Sequence, residues 1–189
     1  MIVKDAGKRS YDGRQIAPLW AFRELGVQGD SIVFFIGRMK VAREEMIDVK
    51  DLKEHKESHP ITSEKALHFI VEHFDDAGLR LAYHRQRILV NISKERIIDA
   101  CKTHVKRRAS DLYVNEKKLS VSVATASASS SKIHLGINIA SKGVPKGVKA
   151  IGLEELGVKD VSTLANAIAR SYAEEIGEIE EDITKTRVF

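Results

Sequence analysis

The sequence predicts an α+β fold: a largely antiparallel sheet flanked by helices. Ile133, Leu135, Ile137 and Ile139 alternate with His134, Gly136, Asn138 and Ala140, the period of a strand with one buried face. Leu119, Val121 and Val123 alternate in the same way with Ser120, Ser122 and Ala124. Other apolar residues recur at helical spacing, above all Leu164, Ala165, Ile168, Ala169, Tyr172 and Ile176. Strand candidates follow one another closely enough to pair as hairpins, which favours an antiparallel arrangement.

The elements follow in chain order. Tyr11-Asp12-Gly13 reads as a turn, and Ile16 to Leu25, with Trp20 and Phe22, as a short helix ended by Gly26 and Gly29-Asp30. Ile32 to Ile36 is a short, β-branched, apolar run and predicts a buried strand, closed by Gly37-Arg38. The polar segment from there to Met46 predicts a loop, while Ile47 to Ser58 is charge-dense and carries no clear pattern. Thr62 or Ser63 is positioned to cap a helix with Ala66, Leu67, Ile70, Val71 and Phe74 on its inner face, stopped by Gly78. Leu79 to Tyr83 and Ile88 to Ile92 predict a hairpin about His84-Arg85-Gln86-Arg87. Ser93 then caps a helix with Ile97, Ile98, Cys101 and Val105 inward, ending near Arg108. The small polar run 125–131 predicts a flexible loop, and Ser162 caps the last helix.

A chain of 189 residues, 43% hydrophobic and 31% charged, supports one domain over 1–189 with an acidic, frayed tail from about 178 to 189. The single cysteine, Cys101, cannot form an internal disulfide and lies on an apolar helix stripe, which predicts a buried, inert thiol. No signal-like or membrane-spanning apolar stretch is present, so a cytoplasmic address and no membrane partner are expected. Charge is uneven: between Arg80 and Arg108 nine basic residues meet only Glu95 and Asp99, whereas Glu154 to Asp182 holds nine acids against Lys159 and Arg170. A solvated surface that compensates itself is the preferred reading of that asymmetry.

Three stretches carry a resemblance. Asp111-Leu112-Tyr113-Val114-Asn115-Glu116-Lys117-Lys118-Leu119 and, later, Gly136-Ile137-Asn138 resemble the Asp-Leu-Tyr-Val-Asn-Gly-Lys-Lys-Leu-Ala-Gly strand and the Gly-Ile-Asn strand of biotin protein ligases, in the same order. Gly152-Leu153-Glu154-Glu155-Leu156-Gly157 and the helix after it resemble the tail of lipoate ligases and octanoyltransferases. The likeness covers the second half of the chain and implies a biotin/lipoate protein ligase-like fold, in the same group as class II aminoacyl-tRNA synthetases. The whole chain also resembles a family of uncharacterised proteins from archaea and thermophilic bacteria, marked by Tyr11-Asp12-Gly13 and Pro18-Leu19-Trp20-Ala21.

The ligase resemblance implies a pocket beside Lys118, whose fixed charge would stabilise the negative charge that develops when a carboxylate attacks the α-phosphate of ATP. It implies ATP with Mg as cosubstrates and a small carboxylate-bearing or nucleotide ligand. Asp111, Ser120, His134, Gly136 and Asn138 would surround that ligand, with Arg38 and Arg43 as the basic residues of the region that covers it in the ligases. The departures are specific. Val121 replaces the motif glycine and thickens the strand where the ligases leave room, and the Gly-Arg-Gly-Arg loop and the Ser-Gly-Gly-Gly run are absent. Lys149, Ala150 and Ile151 occupy the neighbourhood of the octanoyltransferase cysteine.

Other chemistry is thinner. His55, His59, Glu64, His68, Glu72 and His73 lack convergent ligand spacing, so surface or capping roles and no metal are expected. Walker, dinucleotide and zinc-ribbon patterns are missing. The alternative from another class is a non-catalytic protein that contacts RNA or a protein partner through a basic helix over 94–108, with Lys102, Lys106, Arg107 and Arg108 on phosphates. An exposed strand edge would allow a homodimer.

Overall fold

The computed structural model describes residues 1–54, 61–75, 78–145 and 147–187. In chain order the elements are β1 (Ile2–Lys8), α1 (Trp20–Leu25), β2 (Ser31–Val41), α2 (Val49–Glu54), β3 (Ile61–His73) and α3 (Leu79–Cys101). There follow β4 (Lys106–Arg108), β5 (Asp111–Val114), β6 (Lys117–Lys118), β7 (Ser120–Ala126), β8 (Ser131–Asn138) and α4 (Val161–Lys185). Five strands form one sheet in the order β1-β2-β3-β8-β7, and β4-β5-β6 form a second, smaller one. Only the β1–β2 pair is parallel among these ladders. The α+β class and the antiparallel character follow from this topology. Among the described residues, no helix is long and apolar enough to cross a membrane.

Register divides the large sheet into two faces. Phe34, Phe69 and Leu135 stand opposite one another across β2, β3 and β8, as do Ile32, Val71 and Ile133. These residues pack against α3 and α4 in one buried cluster with Leu89, Ile97, Ile168 and Tyr172. The alternate residues point the other way: Val33, Phe35 and Ile70 join Tyr11, Trp20, Met39, Val41 and Met46 in a second cluster.

Coverage of both faces explains where the expected elements fail. The segment read as a helix from Glu64 is β3, in which every residue from Ala66 to His73 is buried. A central strand covered on both sides shows a continuous apolar run, and its spacing imitates a helix. The expected hairpin over 79–92 is the first half of α3. Its buried stripe is Ala82, Arg85, Gln86, Leu89, Val90, Ser93 and Ile97, while Leu79, Leu81 and Tyr83 are exposed. Polar residues inside that stripe conceal its period: Arg85 forms a paired ion contact with Asp75, and Gln86 Nε2 donates to Ser122 Oγ at 3.0 Å.

Smaller corrections have local causes. Ser93 lies inside α3 rather than at a cap, and the helix stops at Cys101 because Lys102 adopts the left-handed conformation (φ 54°). The sulfur-bearing residue there is half-buried against the core. Residues 106–108, expected to be helical, are β4. The first helix is interrupted: a 3-10 turn at Arg14–Ile16 precedes α1, with Leu19 between them at φ 63°. β2 runs through Gly37 to Val41, and a Cβ at Gly37 would sit 1.8 Å from the Arg9 carbonyl oxygen, so only glycine lets the segment after β1 pass there. The serine-rich run is an ordered turn tied by Ser127, whose N–H and Oγ both donate to the Ser130 carbonyl at 2.9 Å. Asp160, not Ser162, caps α4 by accepting the Thr163 N–H, and α4 continues as helix to Lys185 through the segment expected to fray. His55 and His59 lie outside the described residues.

Candidate functional site

The β5–β6 hairpin presents Lys118. Val114 pairs with Lys117, so Asn115 and Glu116 form a two-residue turn, and both have positive φ (47° and 61°). That is the conformation of the hairpin turn that ligases build with Asn-Gly; here Glu116 adopts it at some strain. Arg108 forms an ion pair with Glu116 and lies over the Tyr113 ring, its guanidinium carbon 5.1 Å from the centroid. Lys118 is gripped by its backbone on the other side, its N–H donating to Lys149 at 2.8 Å and its carbonyl accepting from Ile151 at 3.0 Å. Its ammonium lies 2.8 Å from the Asp111 carboxylate, with both side chains half-buried.

Lys118 and Asp111 line a cavity of about 350 Å³ on the sheet face away from α3 and α4. Tyr11, Met39, Val121 and His134 also form its walls. Tyr11 stacks flat on His134 with ring centroids 3.6 Å apart. His134 Nε2 in turn lies 3.1 Å from His68 Nδ1, and His68 Nε2 lies 3.4 Å from the Gly37 carbonyl oxygen. Burial holds both imidazoles neutral. It lowers His68 to about 4, against the opposing pull of the Gly37 carbonyl, and it takes His134 well below the usual histidine value with help from His68. Burial, followed by the charges of Asp12 and Glu45, pushes the Tyr11 hydroxyl upward.

A smaller cavity of about 100 Å³ lies next to the first, lined by Asn138, Val148 and Ala150. The two share Met39, Ile61, Lys118 and Val121 in their walls. The valine that replaces the motif glycine therefore stands between two spaces.

The residues expected to surround a ligand are distributed unevenly. Lys118, Asp111 and His134 share the larger cavity, and Lys118 and Asn138 share the smaller. Asn138 Nδ2 donates to the Lys118 carbonyl at 3.4 Å. Gly136 serves its own strand: a Cβ there would meet the His134 ring at 3.2 Å. Ser120 is buried on the helix side, where its Oγ accepts the Leu112 N–H at 2.9 Å, so it joins the two sheets rather than facing the cavity. Arg38 and Arg43 are exposed and line neither space. Val121 and Val123, expected to face the core, stand opposite Gly136 and His134 on the cavity face, while Ser120 and Ala124 are buried on the other. Lys102, Lys106, Arg107 and Arg108 are exposed but follow the end of α3 and so share no helical face.

Several buried polar residues escape a sequence reading. His68 and His73 are fully buried rather than on the surface, and Glu72 is 2% exposed. Glu72 accepts from the Leu19 N–H at 2.8 Å and from Ser130 Oγ at 2.7 Å, while Lys132 Nζ donates to Ser130 Oγ at 2.9 Å. Burial lowers the Lys132 ammonium, and Glu72 opposes that shift. Lys132 borders a further cleft of about 850 Å³ together with Arg9, Arg14, Arg23 and Ser127. Tyr11 carried a signal only as part of a turn that also marks the family; nothing in its spacing relates it to His68 or His134, which are distant in sequence.

The "Uncharacterized protein MJ0805" of Methanocaldococcus jannaschii is 50% identical over 187 residues, 98% of this chain and 83% of that one. A solved "Protein of Unknown Function from Pyrococcus horikoshi" is 38% identical, with a TM-score of 0.92 over 100% of both chains. The apo biotin protein ligase of Aquifex aeolicus superposes with a TM-score of 0.64 at 17% identity, over 96% of this chain and 72% of the enzyme. That last likeness shows the ligase fold alone. The family description "Domain of unknown function (DUF366)" matches residues 1–187, and the chain belongs to that family.

Proposed function

We propose that the cavity beside Lys118 binds a small carboxylate-bearing or nucleotide ligand, and that Lys118 supports adenylation of the carboxylate. The observation that carries this reading is the Lys118 ammonium on the cavity wall, oriented by Asp111 at 2.8 Å and by backbone bonds to Lys149 and Ile151. In such a step a carboxylate oxygen bonds to the α-phosphorus of ATP and pyrophosphate leaves with the electrons of the broken P–O bond. A fixed cation beside that phosphorus stabilises the charge that builds there. The Aquifex ligase of the same fold is solved in complex with biotin and ATP. Val121 at the motif glycine narrows this cavity, which argues for a ligand of another shape than biotin.

The test is exchange of labelled pyrophosphate into ATP, driven by a panel of small carboxylic acids. Lys118→Ala should lower the exchange by about a hundredfold or more. Its melting temperature should stay close to the parent's, because a half-exposed ion pair contributes about 1 kcal/mol or less. Failure of ATP to bind in calorimetry would overturn the reading. The other reading is polyanion or protein docking through the exposed Lys102, Lys106, Arg107 and Arg108. It predicts salt-sensitive RNA binding that is lost in an Arg107→Ala, Arg108→Ala double variant.

A further inference from the structure

The Tyr11–His134 pair points to the kind of molecule the cavity selects. The Gly37 carbonyl can only accept, so the proton of neutral His68 sits on Nε2 and its Nδ1 is a bare acceptor. The 3.1 Å contact then requires His134 to donate from Nε2, which leaves His134 Nδ1 bare as well. The opposite assignment would set two lone pairs against each other at His68 Nε2 and the carbonyl. Neither His134 Nδ1 nor the Tyr11 hydroxyl has a hydrogen-bond partner among the described residues, although the two side chains are 2% and 4% exposed and both line the cavity.

We infer that the cavity selects acids that also carry a polar group with an N–H or O–H, received by His134 Nδ1 and the Tyr11 hydroxyl, and discriminates against simple alkyl acids. This rests on the reading of the cavity as a carboxylate site at Lys118. An alkyl tail would seal two polar groups without partners and give nothing back for the water it displaces from them. A terminal amide satisfies both, because its N–H donates to the imidazole and its carbonyl accepts from the phenol.

Adipamate and heptanoate test this: both are linear acids of similar length, one ending in a primary amide and the other in a methyl group. Titrated in calorimetry with ATP present, adipamate should bind at least about tenfold more tightly, the factor that corresponds to 1.4 kcal/mol. Tyr11→Phe, which keeps the stack and removes only the hydroxyl, should shrink that ratio several-fold, while Lys118→Ala should weaken both acids alike. Histidine nitrogen NMR at neutral pH should show His134 with a protonated Nε2 and a bare Nδ1 whose resonance moves when adipamate is added. If heptanoate binds as well as adipamate, Tyr11→Phe leaves the ratio unchanged, or His134 carries its proton on Nδ1, the polar-head inference falls. Lys118→Ala still weakening both acids in that case would leave the carboxylate reading standing. If neither acid binds with or without ATP, the carboxylate reading fails and this inference fails with it.

Discussion

The two faces of the five-stranded sheet are built on opposite terms. Against α3 and α4 the sheet offers Ile32, Phe34, Phe69, Val71, Ile133 and Leu135, a close-packed apolar surface. The other face carries Phe35 and Ile70 but also His68 and His134, fully buried, and a cavity edged by Lys118 and Asp111. Burying neutral imidazoles costs stability unless they are hydrogen-bonded, and the His134–His68–Gly37 chain meets most of that need from within. One face thus serves folding and the other retains polar groups that folding alone does not require.

Truncation on the helix face should have the largest effect. Phe69→Ala removes a fully buried ring beside Phe34, at 6.3 Å between centroids, and should cost about 3–5 kcal/mol in chemical denaturation. A loss below about 1 kcal/mol would show that this face is not the main support.

Acid should act mainly through the other face. His68 has a folded pKa of about 4 against an ordinary 6.5, so the unfolded chain takes up its proton first as pH falls. The stability that depends on its neutrality is complete above about pH 6.5 and is lost progressively down to about pH 4, roughly 3 kcal/mol in all. His134, shifted in the same direction, adds to the loss. Unfolding free energies measured across that range should fall, and His68→Phe should flatten the slope. An unchanged slope in that variant would remove the histidine pair as its source.

The smallest effect is expected at Val121. Replacing it with glycine should cost only about 1–2 kcal/mol, since the residue is half-exposed and borders empty space. A crystal structure of that variant should show the two cavities joined. Two spaces still separated would assign the division to Met39 and Ile61, the other apolar residues common to both walls.

Legibility followed the same division. β8 shows its period in sequence because its helix-facing residues are large and apolar while the alternate ones are His134, Gly136 and Asn138. β3 does not, because its alternate positions are Ala66, His68, Ile70 and Glu72, buried by a second layer that leaves no polar side to read. α3 was obscured for the converse reason: Arg85 and Gln86 occupy the buried stripe, and their partners Asp75 and Ser122 come from elsewhere in the chain. Lys118 and Asp111 could be singled out because they lie on one hairpin with a motif. Tyr11 and His68 could not, because their roles depend on contacts between β2, β3, β8 and the segment after β1.

By itself the sequence determined the fold class, the apolar periods of β8 and α4, and the motif segment that carries Lys118. These rest on short-range patterns of side-chain chemistry, which act before distant segments meet. Tertiary structure alone decided that β3 is a strand, that Val121 faces a cavity, and that Tyr11, His68 and His134 form one stack. Those outcomes depend on which layer covers each face of the sheet, a property of the assembled chain and of no single segment.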